Sequence, residues 1–171
     1  LLDAGTGSAS ITTAEDARLS LVKGEVVSIN AVGSVLEADS LALITANTAL
    51  VIVSSTGSIG APSSLLSVTT PLISNVSAIA GSIHLDVAGA TTLTTMQSAG
   101  VAKLESDTSL SVTGSVFASQ VYLAAFGGVL TLQDGSVVEG TASVTLIGNG
   151  DVGVSAVLAP AVSIWSQTGD V

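Results

Sequence analysis

Apolar residues standing two apart around a small or polar one recur along this chain. They appear at Leu19-Ser20-Leu21, Val27-Ser28-Ile29, Leu41-Ala42-Leu43, Leu50-Val51-Ile52, Ile83-His84-Leu85, Leu110-Ser111-Val112, Val121-Tyr122-Leu123, Leu130-Thr131-Leu132, Val144-Thr145-Leu146 and Val162-Ser163-Ile164. This is the period of a strand with one face buried. Helical periodicity is almost absent, and the close spacing of the segments leaves no room for helices or crossovers. Gly, Ser, Asn, Asp and Thr fill the gaps and supply tight turns.

The turns repeat as well. Gly followed by Ser or Asp and then Val or Ile occurs at Gly33, Gly57, Gly81, Gly114, Gly135, Gly150 and Gly169. The first two steps in that series are equal, and the later ones are unequal but of the same order. A turn recurring at roughly one coil length is the mark of a stacked solenoid. Three short strands with their turns need about 20 to 24 residues. The expected fold is therefore all-β: one β-solenoid through residues 1–171, with about seven or eight coils and a length of about 35 Å at ~4.8 Å per coil. Val, Leu, Ile and Ala ladders should line its interior, and the glycines should let the chain round the corners.

Composition agrees with a narrow interior. The 171 residues are 47% hydrophobic but only 2% aromatic and 9% charged, and a thin prism has little room for rings. The aliphatic content can offset the entropy of ordering the chain, so disorder is not expected. The best candidate for a membrane span, from Ser40 to Ser55, is interrupted by Thr45, Asn47 and Thr48 and is too short. Thirteen acidic residues against Arg18, Lys23 and Lys103 give a net charge of −10, which opposes binding to nucleic acid or an anionic membrane. The absence of cysteine removes disulfides, thiolate metal sites and thiol catalysis. The chain opens on Leu1-Leu2-Asp3 and stops within another copy of the turn motif, so it reads as a piece of a longer chain.

The run Gly57-Ser58-Ile59-Gly60, Pro71-Leu72, Val76-Ser77-Ala78 and Gly81-Ser82-Ile83-His84-Leu85 resembles the repeat of filamentous-haemagglutinin-type bacterial surface proteins. The densest match is confined to that run, and a looser version extends through most of the chain. The resemblance implies a right-handed parallel β-helix exported to the cell surface, with a role in adhesion or in a surface fibre. The secretion domain and receptor-binding modules of that family have no counterpart here. The Gly-Gly-x-Gly-x-Asp nonapeptides of calcium-binding β-rolls are absent too.

Residues that could carry chemistry are few. His84 lies between inward-facing Ile83 and Leu85, so its ring is expected in solvent, with Asp86 placed on the opposite side of the strand. That leaves no orienting carboxylate for a histidine base. Glu37 with Asp39, and Glu105 with Asp107, could each project from one face as a glycosidase pair, but the aromatic and cationic residues that line sugar grooves are sparse. These pairs, with Glu15 and Asp16, are also the candidates for calcium ligands, although none has a recognised calcium-loop spacing and no cofactor is expected. Thr91-Thr92-Leu93-Thr94-Thr95 is similar to the outward threonine rows of ice-binding solenoids, although Thr45, Thr69, Thr70, Thr131 and Thr145 do not obviously extend it. Tyr122 and Trp165 alternate with inward residues and should be exposed, where a ring can stack on a sugar or a neighbouring protomer. Asn75-Val76-Ser77 matches a glycosylation acceptor.

The expected function is structural: a repeat segment of a large secreted bacterial surface protein, forming the rod-like stalk or filament of an adhesin. No catalytic, cofactor or metal residue is assigned, and the chain is not read as an enzyme. Self-association through coil ends or neighbouring repeats is the expected partnership. The alternative is a binding module whose outer face recognises carbohydrate or another surface protein.

Overall fold

A computed structural model describes residues 1–39 and 43–171; most of the Leu41-Ala42-Leu43 segment lies outside them. Every regular element among the described residues is a β-strand, and the strands pair in parallel. No described helix is long and apolar enough to cross a membrane. The chain is a parallel β-solenoid, and its register can be followed residue by residue.

One inward column runs Ala17, Val35, Ile59, Ile83, Ala102, Val121, Val144 and Val162. A second runs Ile11, Ile29, Ile52, Val76, Met96, Val116, Val138 and Val157. Each column has one residue on each of eight rungs. The coils are unequal: those from Val35 to Ile59 and from Ile59 to Ile83 are the longest, and those from Ala17 to Val35 and from Val144 to Val162 the shortest. Seven gaps at ~4.8 Å make a rod of about 34 Å.

The three short strands expected per coil merge in places into long bent ones. Leu110–Ala125 uses 16 residues, most of a coil, so it has to turn corners. Its register shifts against the next rung between Ala118 and Gln120, an irregularity that bends a strand without ending the ladder. The pattern fails at Leu19-Ser20-Leu21: Ser20 is a bend separating Ala17–Leu19 from Leu21–Ala31.

Two columns hold small residues over several successive rungs. One reads Ala31, Ser54, Ala78 and Ser98; another reads Val87, Ser106, Ala125, Gly148 and Ser166. Buried Ser54 donates from Oγ to the Gly33 carbonyl at 2.7 Å and accepts from the Gly57 N–H at 3.1 Å. Its polar atom is thereby satisfied inside an aliphatic core. None of the four aromatic rings is in that core.

The seven glycine triplets do not form one column. Gly33, Gly57 and Gly81 stack, and the stack continues at Gly100, which lacks the following Ser or Asp. Gly150 and Gly169 stack on Gly128 at a different corner. Gly114 lies inside the long strand Leu110–Ala125, against the Thr94 carbonyl. Gly135 has φ 83° in a separate turn closed by a hydrogen bond from Ser136 N–H to the Gln133 carbonyl. The same three-letter pattern thus serves several structural purposes.

In the stacked turns one position, which follows the glycine at Ser34, Ser58, Ser82 and Asp151 and follows Glu15 at Asp16, has a consistent task. Asp16 Oδ1 accepts from the Ser34 N–H at 2.7 Å, Ser34 Oγ from the Ser58 N–H at 3.2 Å, Ser58 Oγ from the Ser82 N–H at 3.1 Å, and Ser82 Oγ from the Val101 N–H at 3.0 Å. Each turn presents a short acceptor to the amide of the turn on the next rung. Asp151 does the same for the Asp170 N–H at 3.0 Å. Ser58→Ala strands the Ser82 amide in a partly buried turn, so it should cost about 1 kcal/mol in urea unfolding with the far-UV spectrum unchanged.

Candidate interaction face

The strands that follow the stacked turns alternate inward and outward, so outward residues form columns of their own. One column is His84, Lys103, Tyr122, Thr145 and Ser163. Beside it run Ser67, Asp86, Glu105, Ala124, Ile147 and Trp165. This side of the rod therefore collects the only histidine, one of the three cations, two carboxylates, the tyrosine and the tryptophan.

Two expectations change here. His84 projects outward but is only 5% exposed, not a solvent-facing ring. Asp86, two residues on, projects from the same side as His84, because both alternate with inward Ile83, Leu85 and Val87. Proximity does not make a relay: His84 Nδ1 is buried without a hydrogen-bond partner, so no carboxylate orients the ring through that atom.

Burial is the main influence holding the His84 imidazole below its ordinary pKa, with Lys103 adding to it. Burial also raises Asp86, reinforced by Glu105, Asp107 and Glu37 and opposed by Lys103. Tyr122 is raised by burial and then by Glu105, again opposed by Lys103. Lys103 Nζ sits 3.0 Å from Glu105 Oε1 and 5.4 Å from the centroid of the Tyr122 ring, which fixes the ammonium between a carboxylate and an aromatic face. Tyr122 is partly buried, whereas Trp165 is 64% exposed.

Five of the six acidic candidates are engaged by donors of the chain. Asp16 belongs to the turn ladder. Glu37 accepts from Ser64 Oγ at 2.8 Å and from the Ser67 N–H at 3.0 Å. Asp39 accepts from Ser20 Oγ at 3.1 Å. Asp107 accepts from the Gly89 N–H at 2.6 Å, and Glu105 pairs with Lys103. Among the described residues no three His, Asp or Glu side chains gather as a metal-ligand set.

The threonine-rich segment divides between inside and outside. Thr91 is buried, and Thr92 faces out in a short row with Ser111 and Thr131, bounded by Leu72 and Gly153. Thr94 falls in the register shift between Leu93 and Thr95, so no regular Thr-x-Thr array forms there. The row borders a shallow open groove with Gln133 at its end. Asn75 and Ser77 lie in the strand Leu72–Ala78.

Comparison with protein-family models, curated proteins and solved structures finds no match to this chain.

Proposed function

We propose that this chain is a structural repeat segment of a large secreted bacterial surface protein, forming the stalk or filament of an adhesin at the cell surface. The observation that carries this reading is the eight-rung ladder, whose two fully traced inward columns hold only Ala, Val, Ile and Met. Such a rod adds length one coil at a time and depends on neighbours for its stability. The resemblance of the Gly57 to Leu85 run to filamentous-haemagglutinin-type repeats supports the same reading.

The rungs at either end support self-association as the partnership. Leu2–Asp3, Ala9–Thr13 and Ala17–Leu19 each pair on one side only, as do Ala156–Leu158 and Ala161–Ser166. Val162, in a core column, is 45% exposed. Open parallel edges accept further strands, from neighbouring repeats of the same chain or from another copy. Electron microscopy across a concentration series should show uniform-width particles that lengthen with concentration, and Trp165→Ala should shorten them if the indole takes part in the joint. Rods of constant length at every concentration would overturn end-to-end assembly.

A second reading rests on one specific observation: Lys103, Glu105, Tyr122 and Trp165 share a side of the rod. In that reading the chain is a binding module for carbohydrate or another surface protein, with Trp165 as its most accessible ring. Loss of glycan or receptor binding in Trp165→Ala, with rod length unchanged, would favour it.

A further inference from the structure

His84 is outward-facing yet buried, and the register explains why. Ile59 pairs with Ile83 and Leu66 pairs with Leu85. Residues 60–65 therefore stand where a regular strand would place a single residue beside His84. The extra chain folds into a small flap: Ala61 and Ser64 exchange backbone hydrogen bonds of 2.9 and 3.1 Å around Pro62 and Ser63. It leaves the ladder at Gly60, whose φ is 67° and where a Cβ would lie 2.2 Å from the His84 carbonyl oxygen. Ser64 Oγ ties it to Glu37, whose other carboxylate oxygen accepts from the Ser67 N–H in the strand that follows. The imidazole thus has the flap on one side and Lys103 on the next rung, and its Nδ1 is enclosed without a partner.

We propose that the flap of residues 60–65 and His84 form a proton-operated latch, closed over the neutral imidazole and released when the ring takes up a proton. The flap has no ionisable side chain. From the next rung Lys103 faces the ring, with its charge partly balanced by Glu105; on the ring's own strand the nearest ionisable group is Asp86. Glu37 holds the flap, Asp107 lies beyond Glu105, and Tyr122 lies beyond Lys103. A charged imidazole under the closed flap would be desolvated next to an ammonium. Lifting the flap gives it water and access to Asp86.

The closed form binds the histidine proton less readily than the open form. Its advantage is therefore complete above the ordinary value of 6.5 and is lost as pH falls below it. Asp86 acts in the opposite sense: its carboxyl is raised above 3.8, so the closed form holds that proton more readily and gains from it as pH falls through the carboxylate range. The release therefore belongs to the interval between the histidine and carboxylate ranges.

Amide hydrogen exchange on the whole chain tests this, with rates corrected for the intrinsic effect of pH. Protection at Ala61 and Ser64 should fall severalfold from pH 7.5 to pH 5.5 while Leu93 and Met96 stay protected, and His84→Gln should abolish that pH dependence. Equal protection at both pH values, or a dependence that survives in His84→Gln, overturns the latch. Because His84 is the only histidine, its imidazole resonances in the unmodified protein give an independent measurement. They should titrate below 6.5 in step with the loss of protection, and titration at or above 6.5 overturns the proposal even if the variant does not fold.

Discussion

Leu85→Asp is expected to abolish the folded rod. Leu85 is fully buried, stacked in register between Leu66 and Leu104, and the column continues through Leu123 and Leu146 to Ile164. An unpaired carboxylate in that column has no donor to satisfy it, and the cost is about 5 kcal/mol or more. Leu85→Ala removes only packing, at about 2–5 kcal/mol, and serves as the milder comparison. The location adds to the damage, because coils are stable only through their neighbours and a failure at the fourth of eight rungs divides the stack. Circular dichroism and limited proteolysis should report an unfolded, rapidly cut chain for Leu85→Asp. A wild-type urea midpoint would show that this column is not the core.

Gly81→Ala should loosen the stacked turns through a single added methyl. A Cβ at Gly81 would lie 2.2 Å from the Gly57 carbonyl oxygen and 2.6 Å from Ser58 Oγ. At Gly57 the same atom would lie 2.4 Å from Ser34 Oγ and 2.5 Å from Ser34 N. Both glycines lie outside the left-handed region, so the requirement is close approach between stacked turns and not freedom of φ. The obstacle at Gly81 is backbone, which cannot rotate away, and the coil has to separate from the one beneath it. Overpacking of this kind costs about 1–3 kcal/mol, and the shift would also lengthen the Ser58-to-Ser82 hydrogen bond. Gly89 is the control, with φ 91° and open space around its Cβ position. Gly89→Asn carries only the backbone strain of φ 91° with no atom in the way, so it should lose less than Gly81→Asn, which in turn should lose more than Gly81→Ala. Urea midpoints of the three variants decide the matter, and equal losses at Gly81 and Gly89 would remove the close-approach explanation.

The ladder itself was legible because alternation is a local signal. Ile83-His84-Leu85 and Val144-Thr145-Leu146 announce their inward residues without knowledge of the rest of the chain. The equal steps from Gly33 to Gly57 to Gly81 likewise announced a true column. Beyond Gly81 the coil shortens and the stacked glycine becomes Gly100, so the next Gly-Ser-Val, at Gly114, belongs to a strand bend. The outward columns were hidden for the same reason. His84 meets Lys103, and Asp86 meets Glu105, only when the length of that one coil is known, and coil length varies along the rod. Burial of His84 was beyond reach of its own strand, since the covering residues 60–65 come from the previous coil. Asp86 was different: its side of the strand follows from the two-residue period and could have been assigned from sequence.

The stacking of coils also fixes how this rod would respond to a pull along its axis. The hydrogen bonds between rungs point along the axis, so tension applied at the two ends peels coils away in turn and does not shear all the strands together. Each coil contributes only ~4.8 Å of rod. Once released, a coil of about 20 residues becomes a chain that extends to roughly 65 Å. Under load the folded segment would therefore lengthen by more than ten times the height of each coil it gives up. A rod built this way holds a reserve of length that it releases in steps, and those steps are of unequal size because its coils are.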